Sequence, residues 1–154
     1  MSALGTTAKT LMLGLLATIG CGGEPGAPHR SGGATVVETG GQRVVVADQG
    51  EAVAPPKSWP TDVPLHQSGK ISMAQEGPGY TTVICSVPEK FGTVAEHYAK
   101  VLPEHGWKIQ SSTSVGDASI VSAVKEKRTC TVSVGTDEQG SMLTLSITAP
   151  PPTE

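Results

Sequence analysis

The sequence is poor in aromatic residues: one Phe, two Trp and two Tyr make up 3% of 154 residues. That scarcity leaves no stacking platform for bases or sugar rings. Positive charge is short as well. Lys and Arg number 11 against 14 Asp and Glu, a formal net charge of −3, and no basic stripe runs along any segment. Phosphate contacts dominate nucleic-acid affinity, so no nucleic-acid partner is expected. No apolar run reaches the ~20 residues that a membrane-spanning helix needs. Cys-x-x-Cys is missing, which removes the common redox and zinc signatures.

Patterned catalytic groups are missing too. Ser68 (QSGK) and Ser141 (QGSM) lack the Gly-x-Ser-x-Gly elbow and an assignable His–Asp pair. Ser68-Gly69-Lys70 looks like the tail of a phosphate-binding loop, but Pro64 stands where its first Gly belongs and Ile71 where Ser or Thr is required. Asp62, Glu76, Asp117 and Asp137 fall in turns with no common element. His97 follows Glu96 directly, so the two point apart on a helix. His97, His105 and one carboxylate are the most that can be assembled toward a metal, short of a closed zinc site. No catalytic residue, cofactor or metal is therefore expected, and the chain reads as a non-enzyme.

What is present begins with Lys9–Cys21, KTLMLGLLATIGC. Lys9 gives a positive n-region, Leu11–Ile19 a short apolar h-region, and small residues follow, the pattern of a removable export signal over residues 1–20. Ile19-Gly20-Cys21 resembles the lipobox of bacterial lipoproteins. The resemblance implies cleavage between Gly20 and Cys21 and a diacylglycerol on the Cys21 sulfur. Each buried methylene of such an anchor is worth about 0.8 kcal/mol, so two or three acyl chains hold a domain at a membrane. Gly22 is not the Asp that marks inner-membrane retention in this family, which favours the outer membrane if the cell is Gram-negative. Lys9 is the one charged residue before Cys21, so residues 21–154 carry a net −4.

With Cys21 assigned to lipid, Cys85 and Cys130 remain. In TTVICSV and TCTVSV each lies on the apolar side of an alternating strand, and a disulfide between them is the expectation in an oxidising compartment. Closing that loop would stabilise the fold by roughly 4 kcal/mol. Two buried free thiols are the alternative.

Residues 21–57 read as a flexible Gly/Pro-rich tether with a possible β-hairpin at 34–47, across Gly40-Gly41. A tether of that length spans about 30–35 Å if fully flexible. Residues 58–149 read as one α+β domain, and 150–154 as a disordered tail. Within it, Ile71–Ala74 and Tyr80–Val87 are strands. VPEKFGTVAEHYAKVLPEHGW is a helix, with Thr93-x-x-Glu96 as a capping box and Val94, Ala95, Tyr98, Val101 and Leu102 as its apolar stripe. Pro103 ends or kinks it, and Gly106 closes it in a left-handed conformation. Four alternating runs follow, Trp107–Ser112, Ala118–Lys125, Arg128–Gly135 and Ser141–Thr148, joined by short turns into an antiparallel meander. The expected order is ββ-α-ββββ, a single helix packed on a curved antiparallel sheet. Lys125–Arg128 reads as a solvated turn.

Pro60-Thr61-Asp62-Val63-Pro64 followed by Tyr98, Leu102, Gly106 and Trp107 resembles a small uncharacterised domain of bacterial lipoproteins with a Tyr-x3-Leu-x3-Gly-Trp helix. In fold alone it is similar to the helix-grip modules of a lipoprotein component of the β-barrel assembly machinery. The expected function is a lipid-anchored, non-enzymatic envelope module that binds another envelope protein or a cell-wall component. The alternative is a small-ligand carrier or sensor with a cleft between helix and sheet, lined by Tyr98, Val121 and Ile147.

Overall fold

The computed structural model describes residues 26–150. The expected signal over 1–20, Gly20, Cys21 and the last residues of the tail lie outside them. One helix packs on an open nine-stranded antiparallel sheet, an α+β fold. Strands β1 (His29–Ser31), β2 (Ala34–Thr39), β3 (Gln42–Ala47), β4 (Lys70–Gly77) and β5 (Tyr80–Val87) precede helix α1 (Phe91–Glu104). Strands β6 (Lys108–Val115), β7 (Ala118–Lys125), β8 (Arg128–Asp137) and β9 (Gly140–Thr148) follow it. Their spatial order is β1-β2-β3-β4-β5-β9-β8-β7-β6, so the last strand returns to the middle of the sheet.

The order thus differs from ββ-α-ββββ by three strands at the start. β2 and β3 form a hairpin, and β3 pairs with β4 through Val45 opposite Ala74 and Val46 opposite Met73. A lone hairpin is marginal in water, and this one is stabilised by joining a larger sheet. Residues 48–57, read from sequence as tether, are also built in. The Val53 amide donates to the Ile71 carbonyl at 2.9 Å, and Pro56 is buried. The segment from Val53 to His66 forms a strap across the side of β3–β5 on which the helix packs. Val63, 1% exposed, joins the core, and Trp59 packs against it.

Period-two alternation explains the strands. Val83, Cys85 and Val87 of β5, Val132 and Val134 of β8, and Leu143, Leu145 and Ile147 of β9 share the helix side and are nearly solvent-free. Val94, Ala95, Tyr98 and Leu102 of α1 close over them. At ~25 cal/mol per Å² of apolar surface, this layer is the main stabilising term of the fold.

The helix ends differ in how well sequence foretold them. Lys90 is the N-cap with no side-chain hydrogen bond, and the helix starts at Phe91, so the capping box expected at Thr93–Glu96 does not form. Thr93 already lies inside the first turn. Pro103 sits within the last turn, where losing one amide is tolerated. Beyond it the Gly106 amide donates to the Pro103 carbonyl and the Trp107 amide to that of Leu102, with Gly106 at φ +83°. This is a Schellman closure, and Leu102 and Trp107 supply the buried apolar pair that accompanies it. The Leu-x3-Gly-Trp spacing is therefore the signature of a helix stop.

Candidate functional site

Cys85 and Cys130 are both buried and both free. The disulfide expected between them is corrected by the register. Cys85 lies opposite Leu143 and Cys130 opposite Ile147, so β9 separates them and they are offset by four residues along it. At ~4.8 Å per strand and ~3.3 Å per residue they stand more than about 15 Å apart. A disulfide tolerates about 7 Å between Cα atoms. Burial pushes the Cys85 thiol up to about 11 and the Cys130 thiol up to about 12.

The cleft expected between helix and sheet is filled. Tyr98, Val121 and Ile147 are 0%, 1% and 4% exposed. The Tyr98 hydroxyl donates to the Pro64 carbonyl at 3.2 Å, tying helix to strap, and burial raises the phenol's pKa. A cleft of about 300 Å³ opens instead at the sheet end where Gly77, Gly79 and Tyr80 meet Ser58 and Arg128, with Ile147 at its floor.

Beside that cleft lies a polar latch. Asp62, on the strap, accepts from Arg128 Nη1 at 3.1 Å and Nη2 at 2.6 Å, and from Lys125 Nζ at 2.7 Å. Arg128 stacks over the Trp107 ring at 5.0 Å, and the Trp107 indole donates to the Asp62 carbonyl. Lys125 also donates to the His105 carbonyl at the helix C-terminus, where a cation is favoured. Hydrogen bonds from Arg128 hold the Asp62 carboxyl down at about 2, against the opposing effect of its partial burial. The run Lys125–Arg128, read as a solvated turn, thus turns its two end residues inward. The turn itself is Glu126-Lys127, with Glu126 at φ +56°.

A second cluster gathers near the start of the helix. The Ser68 hydroxyl donates to Glu89 Oε1 at 2.7 Å and lies 3.2 Å from His66 Nδ1. The His66 and His97 rings meet edge to face at 5.2 Å, and desolvation lowers the His97 pKa. His105, grouped with His97 in the sequence reading, contacts the Val101 carbonyl instead. With the serine proton directed at a carboxylate, His66 is not placed as its base, and this cluster is not arranged as a nucleophilic triad. Ser141, the other serine considered, is buried and bonds to the Glu89 carbonyl. Among the described residues no three His, Cys, Asp or Glu side chains converge to hold a metal, and no helix is long and apolar enough to cross a membrane.

The sheet face turned away from the helix is unlike the rest of the surface. The register joins its residues into cross-strand rows. One row runs Val46, Met73, Ile84, Thr144, Ser133 and Ile120 from β3 to β7. A neighbouring row runs Val44, Gln75, Thr82, Ser146, Thr131 and Ser122 over the same strands. Neither contains a charge. The exposed large hydrophobics Val46, Val115, Ile120 and Met142 all lie on this face, at 36%, 74%, 50% and 50% exposure. The paired strand charges lie on the helix side: Glu38, Arg43 and Glu76 in one ion-pair group, Lys125 and Arg128 in the latch.

Residues 67–140 match the START domain-like family model. Comparison with curated proteins and with solved structures gave no match. The START-like segment runs from just before β4 to the β8–β9 turn and includes the helix. The strap that carries Asp62 and the β1–β3 extension fall outside it. START-like similarity points to a module that binds a ligand or a partner. Sequence reasoning saw Thr and Ser alternating with aliphatic residues in each strand, but not that the rows merge into one neutral surface. The signal available was the lack of Lys and Glu at the solvent positions of β5, β8 and β9.

Proposed function

We propose that this chain is a lipid-anchored, non-enzymatic module of the cell envelope that acts by binding a protein through the neutral face of its sheet. The observation that carries the reading is the contrast between the two sheet faces. The interface between helix and sheet is packed shut, whereas the opposite face exposes aliphatic side chains among Ser and Thr with no charge in its central rows. An ordinary solvated surface carries roughly 25–35% charged residues, and interface cores are depleted of them. The lipobox resemblance at Ile19-Gly20-Cys21 supports attachment through Cys21, with the outer membrane favoured if the cell is Gram-negative. The START-like match supports binding as the mode of action.

The test is site-specific photocross-linking in intact envelopes. A photoreactive residue at Ser133, on the neutral face, should form a discrete protein adduct, and one at Lys100 on the outward side of the helix should not. Equal labelling from both positions, or none from Ser133, would refute the assignment. A second reading, a small-ligand carrier, has the cleft beside Tyr80 and Arg128 in its favour. It predicts that Tyr80→Trp fluorescence responds to a ligand pool extracted from the envelope.

A further inference from the structure

We infer that the occupant of the neutral face is a second copy of this chain, packed sheet against sheet about a two-fold axis. The inference rests on the reading of that face as the working surface, and it names the partner.

Three observations carry it. The first is charge. The whole chain is acidic, net −3, so two copies repel wherever charged surface meets charged surface. From β3 to β7 the two central rows of the face carry no charge; Arg30 lies two strands beyond Val46 on β1, and Lys70, Lys108 and Asp137 stand at strand ends around the face. Two copies can therefore meet there without like charges opposed.

The second is area. Seven strands from β3 to β6 at ~4.8 Å span about 30 Å, and the same-face residues along each strand cover about 20 Å. That is about 600 Å² in projection, and more when the side-chain relief is included. A standard specific interface needs about 800 Å² per partner. Stacked sheets with aligned strands about 10 Å apart are a common packing mode.

The third is symmetry. The six strands from β3 to β7 that carry both rows are centred on the β5–β9 seam, where Ile84 lies opposite Thr144. Val46 is on the third strand to one side of that seam and Ile120 on the third to the other, in one cross-strand row. A two-fold axis along the seam places Ile120 of each copy over Val46 of the other. An isologous contact of this kind closes at two copies and leaves no open end. Ile120 and Val46 thus face one another in two symmetric pairs.

The geometry supplies its own test. The full chain is studied in a non-ionic detergent by sedimentation equilibrium, with thermal melts to check folding. Wild type should sediment as a dimer at tens of micromolar. Ile120→Lys and Val46→Glu change exposed positions, so each should keep a cooperative melt, lowered only by the stabilisation that dimerisation adds, yet dissociate at least tenfold more readily. An equimolar mixture of the two should recover the dimer, because Lys at 120 of one chain meets Glu at 46 of the other while the second pair stays native. A monomeric wild type, or a mixture as monomeric as its components, would overturn the inference. A photoreactive residue in place of Thr144, in envelopes, separates this failure from failure of the wider reading, with wild type as background. A homodimer adduct supports the inference. An adduct with a different protein overturns the second copy but keeps the binding face, and no adduct at all overturns both.

Discussion

Replacing Asp62 with Asn isolates one charge in a latch whose other contacts stay in place. The Trp107 indole bonds to the Asp62 main-chain carbonyl, and Arg128 stacks on Trp107, neither of which needs the carboxylate. What is lost is the charge that accepts from Arg128 and Lys125. The carboxyl is held at about 2 from an ordinary 3.8. One unit corresponds to ~1.4 kcal/mol, so the ceiling is about 2.5 kcal/mol. The side chain is 21% exposed, and solvent screening brings the expectation to about 1–2 kcal/mol. For a domain of this size that lowers the melting temperature by about 3–6 °C.

The pH dependence is the sharper reading. A carboxyl with a depressed folded-state pKa stabilises fully above its unfolded value and loses that stabilisation as pH falls through the folded one. Here the window runs from about 4 down to about 2. Urea midpoints of wild type and Asp62→Asn should differ at pH 7, by about half as much at pH 3, and by less than about a fifth of the neutral gap at pH 2. A gap that persists undiminished at pH 2 would mean that Asn disturbs packing and that the ion pairs contribute nothing. No gap at pH 7 would mean that the strap is held by the Trp107 and Tyr98 bonds alone.

The remaining expectations concern other parts of the chain. Iodoacetamide at pH 8 should leave Cys85 and Cys130 unmodified in the folded protein and alkylate both in urea without reductant, since burial holds both thiols protonated; two thiols that become reactive only after reduction would contradict the separated strands. Tyr98→Phe removes the donor to the Pro64 carbonyl and should cost about 1 kcal/mol by urea unfolding; an unchanged midpoint would show that this bond does not hold the strap. Cys21→Ser should stop maturation and move the protein to the soluble fraction, and unaltered membrane residence would remove the anchor from the proposal.

The elements that sequence made legible are those specified by local periodicity. Tyr80–Val87 and Ala118–Lys125 have the bounds that their alternation implies, and the stripe Val94, Ala95, Tyr98 and Leu102 is the buried face of the helix. The hairpin over 34–47 was legible across Gly40-Gly41, but the strap and the pairing of β3 with β4 were not, for a physical reason. Gly and Pro between residues 49 and 57 show that no helix or strand propagates there, but composition is silent on whether tertiary contacts hold such a segment. Here the Val53–Ile71 hydrogen bond and the burial of Pro56 do so. The latch was hidden by distance: Asp62 lies 63 residues from Lys125 and 66 from Arg128, and each reads alone as a turn residue. The cysteines misled because alternation gives the face on which a residue lies and not its row.

That last distinction also explains why the neutral face emerges only from the assembled sheet. A single strand such as Tyr80–Val87, with Thr82, Ile84 and Ser86 outward, is ordinary, since Thr and Ile suit any half-exposed strand. Register then places Ile84 beside Thr144 and Met73, and Thr144 beside Ser133, strand after strand. Solubility alone would be served by Lys or Glu at any of these positions, and the chain does carry charged residues in its strands. Glu38, Arg43, Glu76, Lys125 and Arg128 lie on the helix side, where they pair with one another or with Asp62, and the charges of the other face, Arg30, Lys70, Lys108 and Asp137, stand at its edge strand or at strand ends. Charges are thus tolerated on the strands but withheld from the central rows of one face. Two central rows kept neutral from β3 to β7, with Ile120 and Val46 balanced about their centre, are the arrangement that burial against a matching surface requires.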